Sequence, residues 1–188
     1  MLSQSLPAQL GLTYFLSEIF VRFARRSDQH AQHSDAGSLR WLWISIALGI
    51  GGAVAAQTYF PAGYFALSPR TATALVAVFG LGLALRWWAI LVLGRFFTVD
   101  VAIAADHELV VRGPYRFVRH PSYSGMMLAF AALAATFQNW LSFVFVLVPI
   151  SLGLAYRIRV EEHALVQGLG DAYRRYQKTT KRLIPGVY

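Results

Sequence analysis

The chain has 188 residues, of which 56% are hydrophobic and only 14% charged, with a mean hydropathy of +0.47. A soluble domain of this length could not bury so much apolar surface, so the composition predicts one lipid-facing membrane domain. The absence of cysteine excludes disulfides, thiolate catalysis and cysteine-ligated metal. The net charge of +8 does not indicate nucleic-acid binding, because the basic residues lie between hydrophobic runs and form no nucleic-acid motif.

Five apolar segments in chain order predict an all-α integral membrane protein with about five transmembrane helices. No Lys or Arg precedes the first segment, which is typical of a first membrane helix rather than of a removed signal. The second is an uncharged run of twenty residues, enough for a helix to cross about 30 Å of hydrocarbon. The fourth and fifth follow each other closely and predict a tight helical hairpin. The segments are residues 6–21, 41–60, 71–94, 126–136 (extendable to begin near residue 122) and 140–156.

The basic residues follow the positive-inside rule if the chain crosses the membrane five times. Of the 17 Lys and Arg residues, only Arg70 and Arg86 lie outside two loops and a C-terminal tail that would share one side. This distribution predicts an N-terminus outside and a C-terminus in the cytosol. The tail should continue as helix, break near residues 168–170 and resume with basic residues and tyrosines interleaved. Such a pattern indicates an interfacial helix on anionic lipid headgroups.

Residues 106–125, DHELVVRGPYRFVRHPSYSG, form the longest polar passage between apolar segments. Residues 107–111 alternate polar and apolar side chains and predict a short strand. Pro121 moves the preceding residue out of helical geometry, so Ser122 could cap the fourth helix. Gly125 would allow close backbone approach. The passage therefore predicts an irregular loop at the cytosolic mouth of a helix bundle, where a small polar ligand would bind.

A second polar cluster ends the fifth span. Arg157 and Glu161 are four residues apart and share one helix face, and ionisable groups facing a bundle are functional candidates. Glu162 and His163 lie on neighbouring faces and are expected to be structural or solvated. Arg86, late in the third span, either extends to the interface or lines the site.

Three further polar residues, Glu18, His30 and His33, are expected at the interface or in a loop. The histidines of the chain have no metal-ligand spacing, so no metal site is predicted.

The sequence GPYRFVRHPSYSG, followed after an apolar hairpin by RIRVEEHALVQGLGDAYRRY and RLIP, resembles the isoprenylcysteine carboxyl methyltransferase family of integral membrane enzymes. The resemblance covers roughly residues 85–185. It divides a single membrane domain of residues 1–188 into N-terminal spans (1–84) without a diagnostic motif and a methyltransferase-like catalytic half (85–188).

The resemblance implies a multi-span fold that binds S-adenosyl-L-methionine without a Rossmann sheet, and no GxGxxG fingerprint is present. Arg157 matches the arginine that faces the substrate carboxylate, and Arg157 and Glu161 are the implied catalytic residues. Asp100 departs from the family, which often has glutamine near this position. The implied cofactor-binding residues are His107, Glu108, Leu109, Val110, Tyr115, His120, Pro121, Ser122, Tyr123 and Glu161.

The predicted function is methyl transfer from S-adenosyl-L-methionine to the carboxylate of a lipophilic, isoprenylcysteine-like substrate at the cytosolic membrane face. One alternative is a phospholipid or amine N-methyltransferase with the same chamber. Another is an NADPH-dependent, sterol-reductase-like enzyme, although those loops tend to have an acidic residue after the glycine, where this chain has Met126 and Met127. A third is a non-catalytic membrane subunit.

The expected partners are a lipophilic or prenylated substrate and membrane lipids, with no nucleic acid. The brief loops favour a prokaryotic inner membrane.

Overall fold

The computed structural model of the chain describes residues 2–24, 32–33, 37–97, 102–103 and 108–188. These residues form five α-helices at the positions of the five predicted spans: α1 (Leu2–Ala24), α2 (Ser38–Tyr59), α3 (Pro69–Leu93), α4 (Pro121–Thr136) and α5 (Trp140–Thr179). The helices α2, α3 and α5 are each long and apolar enough to cross a membrane. The predicted all-α membrane fold is confirmed.

The remaining described elements are short. Single 3-10 turns lie at Pro61–Gly63, Gly94–Phe96 and Gly113–Arg116. Two two-residue strands, β1 (Gln32–His33) and β2 (Ala102–Ile103), pair antiparallel. The prediction of a strand over residues 107–111 is wrong for residues 108–111, which carry no regular secondary structure.

The helices alternate in direction, with α2 packed along α5 and α3 packed along α4. At one end of the bundle, the Asn139 side chain bonds both the start of α5 and the end of α2. Its side-chain oxygen accepts hydrogen bonds from the backbone N–H groups of Leu141 and Ser142, which caps α5. Its amide nitrogen donates to the carbonyl of Phe60 at 2.9 Å, which ties the end of α2 to the start of α5. The opposite end holds the C-termini of α1 and α3 and the N-termini of α2 and α4, and is called the site end below.

Small residues bring α3 and α4 into backbone contact. A Cβ added at Gly125 would lie 2.5 Å from the carbonyl oxygen of Gly82 and 2.7 Å from the backbone nitrogen of Arg86. The predicted close approach at Gly125 is therefore confirmed. Such contacts are how membrane helices gain packing energy where lipid provides no hydrophobic driving force between them.

The helix α5 changes direction at Gly170, whose φ of 55° and ψ of −131° are not helical. The predicted break in the tail is confirmed. Beyond it, Tyr173 and Tyr176 are buried, whereas Arg174 and Arg175 are exposed. The Tyr176 hydroxyl donates to the carbonyl of Tyr115 at 2.5 Å. The end of α5 therefore lies against the polar loop between α3 and α4, with its basic face outward.

We predict that Gly82→Ala separates α3 from α4, because the new Cβ would lie 2.6 Å from the nitrogen of Ala129. Overpacking of this kind costs about 1–3 kcal/mol, so the melting temperature in detergent should fall by about 5 °C. The matched control is Gly80→Ala, where nothing lies within 4 Å of the added Cβ. That variant should melt at or above the wild-type temperature, because alanine is the better helix former. Equal melting of the two variants would contradict the packing account.

Candidate active site

A buried ion pair joins three helices at the site end. The Arg86 guanidinium on α3 donates to both carboxylate oxygens of Glu18 on α1, at 2.6 and 2.7 Å. Its remaining nitrogen, Nη1, donates to the Ser122 hydroxyl on α4 at 2.7 Å. Glu18, expected at the interface, instead lies within the bundle, because a buried arginine requires a counter-charge where water is scarce.

The first turn of α4 differs from its prediction. His120, and not Ser122, is the N-cap residue, and Pro121 occupies the first helical position. Proline is favoured there because it has no N–H to satisfy and its φ is already helical. Ser122 is therefore inside the helix, where its side chain accepts the hydrogen bond from Arg86.

The hydroxyl of Tyr123 connects the two predicted catalytic residues. Arg157 Nε donates to this hydroxyl at 2.9 Å, and the hydroxyl donates to Glu161 Oε2 at 2.7 Å. Arg157 is only 4% exposed, and its Nη1 also donates to the Ser38 hydroxyl at the start of α2. The structure thus brings Arg157 and Glu161 together through a tyrosine rather than by direct contact. The Glu161 side chain retains 29% of its exposure.

His120 lies between the two acidic residues of α5. Its ring stacks on Tyr123 with centroids 5.6 Å apart and an interplanar angle of 20°. Its Nε2 is 3.3 Å from Glu162 Oε1, and its Nδ1 is 3.8 Å from Glu161 Oε1. His120 is almost fully buried, so it fixes the loop and the Tyr123 ring relative to α5.

Glu162 is structural, as predicted, but it is buried rather than solvated. It accepts hydrogen bonds from Arg119 Nε at 2.9 Å and from Arg182 Nη2 at 2.8 Å. The hydrogen bonds that Arg182 donates to Glu162 raise the pKa of its guanidinium, which therefore stays charged. The backbone N–H of His120 donates to the backbone carbonyl of Arg182 at 2.9 Å. The segment after α5 therefore bonds both the polar loop and α5.

The polar loop places its other predicted residues at the end of α3. Glu108, Leu109 and Val110 line a groove with residues 91–96, with an empty volume of about 910 Å³ that includes open solvent. Tyr115 is buried and donates to the carbonyl of Ala89 at 3.3 Å. Burial raises the pKa of the Tyr115 hydroxyl, so it remains a donor. His107 and Asp100 lie outside the described residues.

A cavity opens beside the ion pair and the tyrosine bridge. It has a volume of about 50 Å³, and Arg86 lines it together with Tyr123 and Arg157. An apolar cleft of about 470 Å³ adjoins it between α1 and α2. Tyr14, Trp43 and Ile46 line both spaces.

Sequence reasoning missed Tyr14, Glu18 and Ser38 as site residues. A signal for two of them existed, because Glu18 is an acidic residue within an apolar span and Tyr14 precedes it by one helical turn. No local pattern marks Ser38, which reaches the site only through the packing of α2 on α5.

Comparison with known families decides the classification. The sequence model of the isoprenylcysteine carboxyl methyltransferase family matches residues 74–167, which include the HELV and RHPSY motifs and the RIRVEEH cluster. The chain belongs to this family. The resemblance predicted from the paired motifs is confirmed.

Relatives in other organisms agree with the assignment. Protein-S-isoprenylcysteine O-methyltransferase B of Arabidopsis thaliana is 36% identical over 109 residues, which cover 57% of this chain and 55% of the relative. The Schizosaccharomyces pombe protein-S-isoprenylcysteine O-methyltransferase is 35% identical over 107 residues, covering 56% and 45%. Methanethiol S-methyltransferase 1 of Bradyrhizobium diazoefficiens is 39% identical over 72 residues, covering 38% and 24%. The chain spans about half the length, or less, of these relatives.

A solved structure shares the fold. The eukaryotic intramembrane Ras methyltransferase, an isoprenylcysteine carboxyl methyltransferase, superposes with a TM-score of 0.61 at 27% identity. The superposition covers 77% of this chain and 52% of the solved chain. The similarity therefore includes residues before position 74, where the family sequence model begins.

We predict that Glu18→Gln destabilises the protein strongly, because Arg86 would lose its buried counter-charge. Breaking one side of such a pair costs about 3–5 kcal/mol, whereas the double variant Glu18→Leu/Arg86→Met should recover much of the loss. Thermal unfolding in detergent measures both effects. The control is Asp171→Asn, which breaks the Asp171–Arg174 pair, with side chains 77% and 60% exposed, and should change little. Wild-type stability of Glu18→Gln would refute a structural role for the pair.

Proposed function

We propose that this chain is an integral membrane S-adenosyl-L-methionine-dependent methyltransferase acting on the carboxylate of a lipophilic, isoprenylcysteine-like substrate. The observation that carries the proposal is the arginine–tyrosine–glutamate bridge of Arg157, Tyr123 and Glu161, beside a cavity that adjoins an apolar cleft. Within a methyltransferase family, this arrangement suits an amphiphilic acceptor and a polar cofactor that meet at the site end.

The residues at the site end fit the cofactor. A carboxylate has about four lone-pair sites, so Glu161 can accept a bond from Tyr123 and still bind a ribose or amino group. The ring of Tyr123, which lines the cavity, suits a cation. The groove lined by residues 108–110 and 91–96 offers further polar surface open to water. When bound, S-adenosyl-L-methionine supplies an activated methyl group.

Arg157 would orient the acceptor. Arg157 lines the cavity, and an arginine holds a carboxylate by charge-assisted hydrogen bonds of fixed geometry. No side chain needs to act as a base, because an ionised carboxylate is already a nucleophile. The protein's contribution is then alignment of the carboxylate and exclusion of water by the surrounding helices.

The apolar cleft between α1 and α2 would hold the hydrocarbon chain of the acceptor. Its lining includes Leu12, Ile50 and Phe130. Each methylene that moves from water into such a cleft contributes about 0.8 kcal/mol. A lipid chain would enter from the bilayer, while the cofactor would enter from the aqueous side.

The site end would face the cytosol. In the described part of the chain, the Lys and Arg residues other than Arg70 and Arg86 lie at the helix ends, loop and tail on this side of the bundle, as the positive-inside rule requires. The exposed basic residues after Gly170 would bind anionic headgroups of a prokaryotic inner membrane.

Family membership favours methyl transfer over NADPH-dependent reduction. A cationic Arg157 beside the cavity also disfavours an amine acceptor, because like charges repel. A thiol acceptor is the second candidate, since a relative of this chain is named methanethiol S-methyltransferase 1.

We predict that calorimetric titration of S-adenosyl-L-methionine into the detergent-purified protein gives saturable binding. Glu161→Gln should weaken it about tenfold or more, because a hydrogen bond to a charged group contributes about 1.5–3 kcal/mol. His120→Ala should weaken it as well, through the displaced loop. Arg159→Ala, an exposed position on the same helix, should bind like wild type. Binding of NADPH in place of S-adenosyl-L-methionine would refute the proposal.

We predict that Arg157→Lys lowers kcat/KM for methylation of N-acetyl-S-farnesylcysteine about 10–100-fold, equivalent to about 1.4–2.7 kcal/mol. Lysine keeps the charge but loses the planar donor pair, and affinity for S-adenosyl-L-methionine should stay within about twofold. Arg159→Ala again serves as the control. An alkanethiol tested in parallel distinguishes the acceptors, because a thiol-methylating enzyme would prefer it and would tolerate Arg157→Lys.

A further inference from the structure

Ser38, the first residue of α2, is fully buried at the site end. Its hydroxyl accepts a hydrogen bond from Nη1 of Arg157 at 3.0 Å. Position 38 lies outside the segment that the family sequence model matches, which begins at residue 74. A residue of the N-terminal spans, which carry no diagnostic motif, therefore contacts the arginine proposed to orient the methyl acceptor.

The packing of α2 on α5 sets the position of this contact. The two helices run antiparallel, and a glycine brings them close together, because a Cβ added at Gly153 would lie only 3.4 Å from the Cα of Leu42. Ser38 lies about one turn before Leu42 on α2, and Arg157 lies about one turn after Gly153 on α5. The register fixed at the glycine therefore places Ser38 opposite Arg157.

The Arg157 guanidinium is held at two points by two different helices. Its Nε donates to the Tyr123 hydroxyl of α4 at 2.9 Å, and its Nη1 donates to Ser38 of α2. A guanidinium is planar, so bonds from two of its nitrogens to oxygens on separate helices fix its plane as well as its position. The angle at which Arg157 meets a ligand in the cavity that it lines therefore depends on both bonds.

The orientation of a guanidinium matters for a carboxylate ligand in particular. The paired, charge-assisted hydrogen bonds between these groups require their planes to align, and a misplacement of about 1 Å can slow a reaction about 100-fold. A neutral ligand with the same hydrocarbon chain gains little from that alignment. Loss of the Ser38 bond should therefore affect recognition of the acceptor's carboxylate more than recognition of its chain.

We propose that Ser38 is a positioning residue for methyl transfer, which acts by fixing the guanidinium plane of Arg157 for the acceptor's carboxylate. The inference rests on the proposed function and gives α2 a part in it. The acceptor site is then completed by a helix outside the segment matched by the family sequence model.

A double-mutant cycle tests whether Ser38 acts through Arg157. Ser38→Ala should lower kcat/KM for N-acetyl-S-farnesylcysteine about fivefold to tenfold and leave affinity for S-adenosyl-L-methionine within about twofold. In the Arg157→Lys background, the same change should have less than about a twofold effect, because lysine has no Nη1 for Ser38 to hold. Losses that add independently would show a general structural effect and would overturn the inference.

Ser45→Ala is the matched control. Ser45 lies about two turns further along α2 and also faces α5, because a Cβ added at Gly153 would lie 2.7 Å from its hydroxyl oxygen. Removal of this hydroxyl should leave kcat/KM unchanged.

A second variant makes the test independent of the stability of Ser38→Ala. Ser38→Cys keeps a side chain of similar size but accepts hydrogen bonds only weakly, so it should reproduce the loss without opening a gap. Full activity of both Ser38 variants would contradict the proposal.

Equilibrium binding separates this inference from the proposed reaction. N-acetyl-S-farnesylcysteine and its carboxamide share the hydrocarbon chain and differ in the group that Arg157 would bind. Wild-type protein should prefer the acid, and Ser38→Ala should reduce that preference about fivefold. The preference is a ratio measured on one preparation, so partly unfolded protein cannot change it.

If wild-type protein binds the acid but does not methylate it, the proposed reaction fails and the change of this ratio in Ser38→Ala still tests the inference. A reduced ratio in Ser38→Ala, with an unchanged ratio in Ser45→Ala, supports the role of Ser38. No preference for the acid in wild type, an unchanged preference in Ser38→Ala, or no binding of either compound overturns it.

Discussion

The site end depends on one interaction, the two-pronged ion pair between Arg86 and Glu18. A charged group inside a membrane bundle is tolerated only when another group neutralises it, and here the two charges come from helices that are distant in sequence. The pair therefore fixes α1 against α3. Because Arg86 also bonds Ser122, it fixes the first turn of α4 in the same position. That arrangement positions Tyr14 and Tyr123 at the cavity.

The first turn of α4 then links two networks through consecutive residues. Ser122 belongs to the Arg86 network, and Tyr123 belongs to the network of Arg157 and Glu161. A shift of this turn changes both networks at once, because the helix backbone joins them rigidly. Pro121 at the start of the helix fixes the direction of this turn. Gly125, one turn further on, lets the helix contact α3 closely.

Much of the fold could be predicted from the sequence. The lengths of the apolar segments predicted five helices, because every backbone polar group in lipid must form a hydrogen bond within the protein and few structures other than helices allow this. The break at Gly170 and the contact at Gly125 were predicted because glycine at those points has a specific physical use. The prediction of Ser122 as the cap was wrong because Pro121 favours the first helical position, which makes the residue before it, His120, the cap.

The candidate site could be predicted only in part. The motifs grouped residues of the loop and of α5, but not the Tyr123 hydroxyl as the connection between Arg157 and Glu161. Glu18 and Arg86 are 68 residues apart, and the sequence contains no periodicity that pairs them. The roles of Ser38 and Tyr14 likewise depend on which helices are neighbours. Local patterns report conformation and exposure, whereas the partner of a buried polar group is decided by packing.

The segment that follows α5 has a consequence for biosynthesis. Arg119 in the polar loop donates to the carbonyl of Thr180, 61 residues later, and its backbone N–H donates to the carbonyl of Lys181. A ribosome therefore completes all five helices before the two carbonyl groups that accept these hydrogen bonds have been made. The loop between α3 and α4 can acquire its final shape only after the bundle has been inserted. The polar loop is thus fixed late in synthesis, so that a nascent chain released before residue 180 would contain nearly all of its five helices but not the final contacts of this loop.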